Sequence, residues 1–443
     1  MVEQNKMETT PMLKLIISMS LPPLFSMFLQ YTYNFVDCIF VSWISEDALT
    51  AVSLSFPLTT FMLASSIGIG VGINILIAKK LGQKDFDKAN SIVSHGIILS
   101  TIMGLIIMTL VYLILKPYFM SFGLSENVYD LSITYMMICT LMQVPNMVHI
   151  AIQKIIQATG NMLAPMLFQI AGVVLNFVLD PILIFGYGPF PEMGIGGAAV
   201  STVLGYSLSM ALAFYVLIFT RQKVKIKVKG LRLDMSIFKD IFIFGLPSFI
   251  MNVLGAIMVS IANAFLIVYS TTAVAFFGAY FKVQQLIVMT VNGLIQGTIP
   301  IMSYNFGAKN YKRLNDSARY ASIIAGLMMR LGGILLIVFP RLVLRIFMAS
   351  EAMMDFGVGA LRIMALSYVF NGLSTIIASY MQATARVSYS IIINLMRQLL
   401  LLVPSMWILT RLMGMEGVWY SFIVAEFICF IYAGMVFKKK RLV

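Results

Sequence analysis

The chain has 443 residues, 60% of them hydrophobic and only 11% charged, with a formal net charge of +13 and a mean hydropathy of +0.92. That apolar content excludes a water-soluble enzyme fold and points to lipid as the solvent. The basic excess then reads as membrane orientation rather than nucleic-acid binding.

Apolar segments long enough to cross a ~30 Å hydrocarbon core recur along the whole length. In chain order they run over about 14–43, 51–78, 92–115, 129–153, 163–185 and 195–219, then about 241–269, 274–303, 318–340, 353–381, 388–410 and 416–437. Those twelve predict an all-α integral membrane protein. The first is too long for a signal peptide and lacks a small-residue cleavage site, so it is expected to stay. With the N-terminus inside, 23 Lys and Arg fall in inner segments and only four (Lys116, Arg341, Arg345 and Arg411) in outer loops. The positive-inside rule therefore predicts cytoplasmic termini and a multi-pass protein of the cell membrane.

The apolar pattern gives way once, over residues 221–240, where Lys223, Lys225, Lys227 and Lys229 alternate with apolar residues. This basic stretch is expected to be a cytoplasmic linker, as a short strand or a surface-lying segment, between an N-lobe of residues 1–220 and a C-lobe of 241–443. The two halves repeat at a constant offset of 225. Leu21-Pro22 returns as Leu246-Pro247, Gly68, Gly72 and Gly82 as Gly293, Gly297 and Gly307, Lys84 and Asn90 as Lys309 and Asn315, and Gln157-Ala158-Thr159 as Gln382-Ala383-Thr384. Six spans per half put both repeats in the same orientation, with an axis along the membrane normal and a cleft between them. This is a frame used by secondary transporters. The paired stretches 82–90 and 307–315 are expected to be short amphipathic connectors. Among the prolines inside spans, Pro22 and Pro23 are the best placed to act as a hinge.

Three acids lie deep in spans: Asp37, Asp180 and Glu426. An ionised carboxylate in hydrocarbon is costly, so such residues face a cavity or a partner. Asp37 and Asp180 fall at similar depth near the outer ends of the first and fifth spans, where they can share a proton or coordinate a cation. Helical spacing extends each into a polar stripe: Gln30, Tyr33 and Asp37; Gln169, Asn176 and Asp180; and, on span four, Tyr135, Cys139, Met142, Asn146, His149 and Gln153. Such stripes line a common cavity or simply glue helices together. His149 reads as a hydrogen-bonded wall residue. The second half has neutral stripes, with Gln285, Asn292 and Gln296 on span eight, and one deep acid, Glu426; Lys282, Arg330, Arg362 and Arg397 also fall within or near spans, where they either snorkel to an interface or pair with Glu426 or a carbonyl. Cys38, Cys139 and Cys429 show no CxxC spacing and read as inert core thiols. The 34 Met and 32 Phe suit either a pocket for apolar cations or ordinary helix packing.

The repeat, Tyr33-Asn34-Phe35-Val36-Asp37, Leu81-Gly82-Gln83-Lys84, Gln157-Ala158-Thr159-Gly160-Asn161, the Asn176 to Gly186 stretch with Asp180-Pro181, and Val424-Ala425-Glu426 together resemble the multidrug and toxic compound extrusion (MATE) family over nearly the whole chain. The resemblance implies two six-helix lobes forming a V and efflux of organic cations or drugs by antiport with H⁺ or Na⁺. It implies ion coupling at Asp37, Asp180 and Asn176 in the N-lobe, with Tyr135 and a Thr202 hydroxyl in the same site and Na⁺ as the only metal. Another branch of the family uses carboxylates on the seventh span, where this sequence has Asn252 and Asn263 and no acid. The substrate cavity is expected to draw on Gln30, Tyr33, Asn34, Asn146, Gln169, Gln285, Asn292 and Glu426.

The expectation is a monomeric secondary exporter with the lipid bilayer and small organic cations as its partners, no nucleic acid and no cofactor beyond the coupling ion. A flippase for lipid-linked precursors is the alternative, and it calls for a strongly cationic cavity. No HExxH, GxSxG or P-loop motif is present to support an enzyme or ATP-driven transport.

Overall fold

A computed structural model describes residues 5–227, 233–347 and 349–442. Lys229 and Arg232 of the basic linker lie outside the described residues. The helices are α1 (Lys6–Thr9), α2 (Met12–Ile44), α3 (Glu46–Gly82), α4 (Phe86–Met120), α5 (Glu126–Leu141), α6 (Gln143–Ala158), α7 (Leu163–Phe185) and α8 (Ile195–Phe219). After the linker come α9 (Met235–Leu266), α10 (Thr271–Gly307), α11 (Tyr311–Val338), α12 (Pro340–Ile346), α13 (Glu351–Ala365), α14 (Tyr368–Ala383), α15 (Val387–Leu395), α16 (Leu402–Met413) and α17 (Glu416–Lys440). A π-turn, Met396–Leu400, joins α15 to α16. Among the described residues eleven segments are long and apolar enough to span a membrane, and α5 with α6 makes a twelfth if that bent pair is one span. No strand occurs among the described residues, as expected where no water can satisfy an open sheet edge.

The duplication extends to local geometry. Ser45 and Ser270 cap α3 and α10, each accepting at 3.0 Å from the backbone N–H of the alanine three residues on. Lys84 and Lys309 both sit in the left-handed region, at φ 58° and 57°. There they close three-residue turns into the N-caps Asp85 and Asn310. The stretches expected as amphipathic connectors are therefore tight turns followed directly by membrane helix. Span four breaks at Met142 with a bend of 41°, and the tenth breaks at Leu366 and Ser367, the latter 225 residues later.

The chain forms two compact units, Phe25–Phe249 and Met1–Leu24 with Ile250–Val443. Each contains the start of the other repeat's first helix. In the first unit the opening half of α9 packs on α3. A Cβ at Gly72 would come to 3.0 Å from the carbonyl carbon of Ile241 and 3.1 Å from the amide nitrogen of Gly245. In the second, the opening half of α2 packs on α10. There a Cβ at Gly297 would meet the Met19 carbonyl at 2.8 Å, and Ser20 Oγ donates to Leu294 O at 3.3 Å. Glycine is required at both places because backbone approaches backbone.

The described part of the linker lies on α4 rather than pairing as a strand. Lys225 N donates to Asn90 Oδ1 (2.7 Å), and Lys227 N and O both bond the Ser94 hydroxyl (2.8 and 3.0 Å). Asp234 N donates to His95 Nε2 (2.9 Å). Hydrogen bonds from Ser236 hold the exposed Asp234 carboxyl below its usual range.

Gly72→Val forces α9 away from α3. Overpacking of this kind costs about 1–3 kcal/mol, so thermal unfolding of the detergent-solubilised variant is expected below wild type. An unchanged melting temperature means this contact is not tight.

Candidate functional site

Four helices of the first unit bring polar side chains to one place. Helix α7 carries Asn176 and Asp180 one turn apart, both buried, at 4% and 0% exposure. They face α8 because those helices approach closely through glycine. A Cβ at Gly172 would meet Gly205 O at 2.6 Å, and one at Gly205 would meet Gly172 O at 2.8 Å and Asn176 Cβ at 3.1 Å. At this spacing Ser201 donates its hydroxyl to Asp180 Oδ1. With its amide nitrogen turned to the acid, Asn176 donates to both Asp180 oxygens (3.2 and 3.3 Å). Its oxygen then accepts from the Thr202 hydroxyl (3.3 Å) and the Thr202 backbone N–H (3.2 Å).

Helix α2 supplies the other side. Tyr33 bonds the Asn176 amide and reaches Asp180. One turn on, Asp37 comes within hydrogen-bonding reach of Asp180, and its Oδ1 is buried with no hydrogen bond. Two carboxylates can bond each other only when one carries a proton, since ionised carboxylates only accept. From α5, Tyr135 bonds Cys139 and lies close enough to Asp37 and Tyr33 to interact with both. The arrangement can hold one proton between two acids, or a small cation among carboxylate, amide and hydroxyl oxygens.

A chain of amides continues within the same unit. Gln30 donates to the Tyr206 hydroxyl (3.4 Å), Gln169 donates to Gln30 (2.8 Å), and Gln153 donates to Gln169 (2.7 Å). His149 packs against Phe168 and Tyr206 with both ring nitrogens unbonded. It is thus a wall residue held by aromatic contact, not by hydrogen bonds as expected.

The remaining named residues lie elsewhere. Asn34 is exposed. Asn146 is buried between α6 and α3, donating to Ser66 at 3.4 Å. Gln285, Asn292 and Glu426 belong to the other unit, where Glu426 pairs with Arg397. Cys139 and Cys429 are buried and none of the three cysteines is disulfide-bonded, but Cys38 is exposed rather than in the core.

Ser201 and Tyr206 escaped sequence reading. Ser201 immediately precedes Thr202, and adjacent helical residues do not ordinarily share a face. Only the close glycine-mediated packing of α7 on α8 turns both hydroxyls to one neighbour. Ser201→Ala removes a donor from a buried carboxylate. It should cost about 1–3 kcal/mol, read as a lowered unfolding temperature that Ser201→Thr restores.

Comparison with known proteins agrees with this architecture. The MatE family model matches residues 22–182 and 247–408, two segments whose starts differ by the repeat offset of 225. The chain is 25% identical over 432 residues to the multidrug export protein MepA of Staphylococcus aureus, covering 97% of this chain and 94% of that one. It is also 25% identical to a multidrug resistance MATE family transporter of the MOP superfamily solved in an outward-facing conformation, with a TM-score of 0.92 over 99% of this chain and 98% of that one. A MOP superfamily transporter from Pyrococcus furiosus, described as having a binding pocket of reverse polarity that suggests a different function, aligns equally well (TM-score 0.92, 25% identity, 100% and 99% covered). Two matched segments, one per repeat and together most of the chain, make this protein a member of the MatE family, the multidrug and toxic compound extrusion transporters.

Proposed function

We propose that the protein is a secondary multidrug exporter of the cytoplasmic membrane, acting as a monomer with both termini inside, that moves amphipathic organic cations outward in exchange for H⁺ or Na⁺. The observation that carries this reading is the meeting of Asp37 and Asp180 inside one membrane unit, with Asn176, Tyr33, Ser201 and Thr202 around them. Without a bound ion the pair holds two negative charges in a poorly hydrated site, which favours a cation. Taking up a proton or Na⁺ halves that charge and weakens the attraction for cationic cargo, so ion and cargo compete. Tyr33 connects this event to α2, four helical turns or fewer from Pro22 and Pro23, where the ladder lacks two N–H donors. Export of multiple drugs by MepA supports the cargo class.

The flippase alternative is disfavoured. Arg330 and Arg362 are exposed, with Arg362 bonded to Ile337 O at 3.1 Å. Arg397 is buried against Glu426. These three do not assemble the cationic cavity a pyrophosphate requires.

Proteoliposomes given a fluorescent organic cation, with pH and Na⁺ gradients imposed separately, test the reading. Wild-type movement is expected to follow one gradient and to fall to the level of empty liposomes in Asp37→Asn that remains folded. Gradient-driven transport retained in the variant removes Asp37 from coupling. No cation transport by folded wild type overturns the exporter reading.

A further inference from the structure

The second unit contains its own ionisable centre, built from different residues. Glu426 on α17 and Arg397 in the π-turn are 7% and 9% exposed. Glu426 Oε1 accepts from Asn371 Nδ2 at 2.7 Å and faces Arg397 Nε at 3.5 Å. Arg397 Nη1 donates to the Thr375 hydroxyl, while its Nε makes no hydrogen bond. Glu426 Oε2 is buried and accepts nothing. The titratable groups facing the carboxyl are Arg397 from the π-turn, Tyr280 from α10 beside Tyr368 from α14, and Cys429 one turn on along α17.

The repeat offset shows where this centre lies. Position 397 corresponds to Gly172, which lets α7 approach α8, but the connection before the last span is five residues shorter than its counterpart, so Gly194 and Gly197 return as Gly414 and Gly417, Ser201 as Ser421 and Tyr206 as Glu426. Leu183 against Gly197 returns as Leu409 against Gly417, which puts the buried Met406 in the place of Asp180. The acid has therefore moved from the fifth span of one repeat to the sixth of the other, and a guanidinium occupies the place of the glycine. The helix carrying it widens there. Leu401 N bonds Met396 O (2.9 Å) instead of the Arg397 carbonyl, the one-turn π-bulge that recurs at functional sites.

A pair serving stability alone would fill both carboxylate oxygens, as in a two-bond fork. This one meets a single oxygen, leaving the other buried without a protein donor. We propose that Glu426 is a second proton-binding site, taking its proton on Oε2 independently of Asp37 and Asp180. A proton from the aqueous phase forms an O–H bond at Oε2. Asn371 still donates to Oε1, Arg397 keeps its own protons, and the cluster passes from neutral to +1. Arg397 is then a buried cation without a counter-charge, held by Thr375. The exporter reading above enters only in assigning this proton to a transport cycle.

Infrared difference spectroscopy of purified protein in lipid nanodiscs, stepped from mildly alkaline to mildly acidic pH, tests the site without any cargo. Failure there is thus distinguishable from failure of the exporter reading. In D37N/D180N a protonated-carboxyl C=O band is expected to remain on acidification, and adding E426Q is expected to abolish it. Should E426Q leave Arg397 unpaired and the protein unfolded, R397Q/E426Q removes both charges together and is expected to lose the same band. Identical spectra for D37N/D180N with and without E426Q, or with and without the paired change, overturn the proposal and leave a static ion pair.

Discussion

Within the hydrocarbon core no water is present to bond a polar group, so every donor and acceptor must find its partner inside the protein. This constraint explains the helices themselves, and also how their hydroxyls behave. Ser55, Ser66, Ser132 and Thr140 each return their proton to a carbonyl one turn back. It also explains why the deep acids do not face lipid. Asp180 receives Ser201, Asn176 and Tyr33, and Glu426 receives Asn371 and Arg397. Among these acids partners run short at two places, Asp37 Oδ1 and Glu426 Oε2, which are buried acceptors without a protein donor.

Duplication supplied one scaffold and left its chemistry free to diverge. Caps, left-handed lysines and helix breaks are copied at the 225 offset because they depend on backbone geometry, which both repeats need in order to span the same thickness. Side chains inside each unit answer to different neighbours. Gly172 allows a close helix pair that turns the Ser201 hydroxyl to Asp180 and the Thr202 hydroxyl to Asn176. Arg397 at the matching position requires an acid in reach and finds it in Glu426, on the helix that repeats α8. Gaining a buried charge in this way is tolerable only if both partners appear together, since a lone buried charge is far costlier than a pair.

Much of this was legible in the sequence, because lipid imposes simple rules. Span length and charge asymmetry mark the helices, and spacings of three and four put Gln30, Tyr33 and Asp37, or Asn176 and Asp180, on common faces. The stripe from Tyr135 to Gln153 was only half informative. Span four breaks at Met142, where Pro145 leaves the Leu141 carbonyl without its helical donor, so Tyr135 turns to the acids while Asn146 turns to Ser66. Arg397 and Glu426 were visible as charges, but their pairing needs the register between the π-turn and α17, which periodicity does not specify. The exchange of helix beginnings between units is a tertiary choice made by Gly72 and Gly297, and sequence reading alone offers no reason to cut α2 after Leu24.

That exchange gives the prolines their meaning. Helix α2 passes from one unit to the other between Leu24 and Phe25, and α9 does so between Phe249 and Ile250. Pro22 and Pro23 immediately precede the first crossing, and Pro247 precedes the second. A proline removes the N–H that would close the ladder to the residue four back, so the carbonyls of Ser18, Met19 and Ile243 lose their regular helical donors. Each shared helix is thus softest beside the point where it changes unit. Above the crossing in α2 stand Gln30, Tyr33 and Asp37, bonded to α7 and α8; below it, Ser20 is bonded to α10. The stretch between these anchors is held at both ends and weakened between them, and bending there costs fewer hydrogen bonds than anywhere else along the helix.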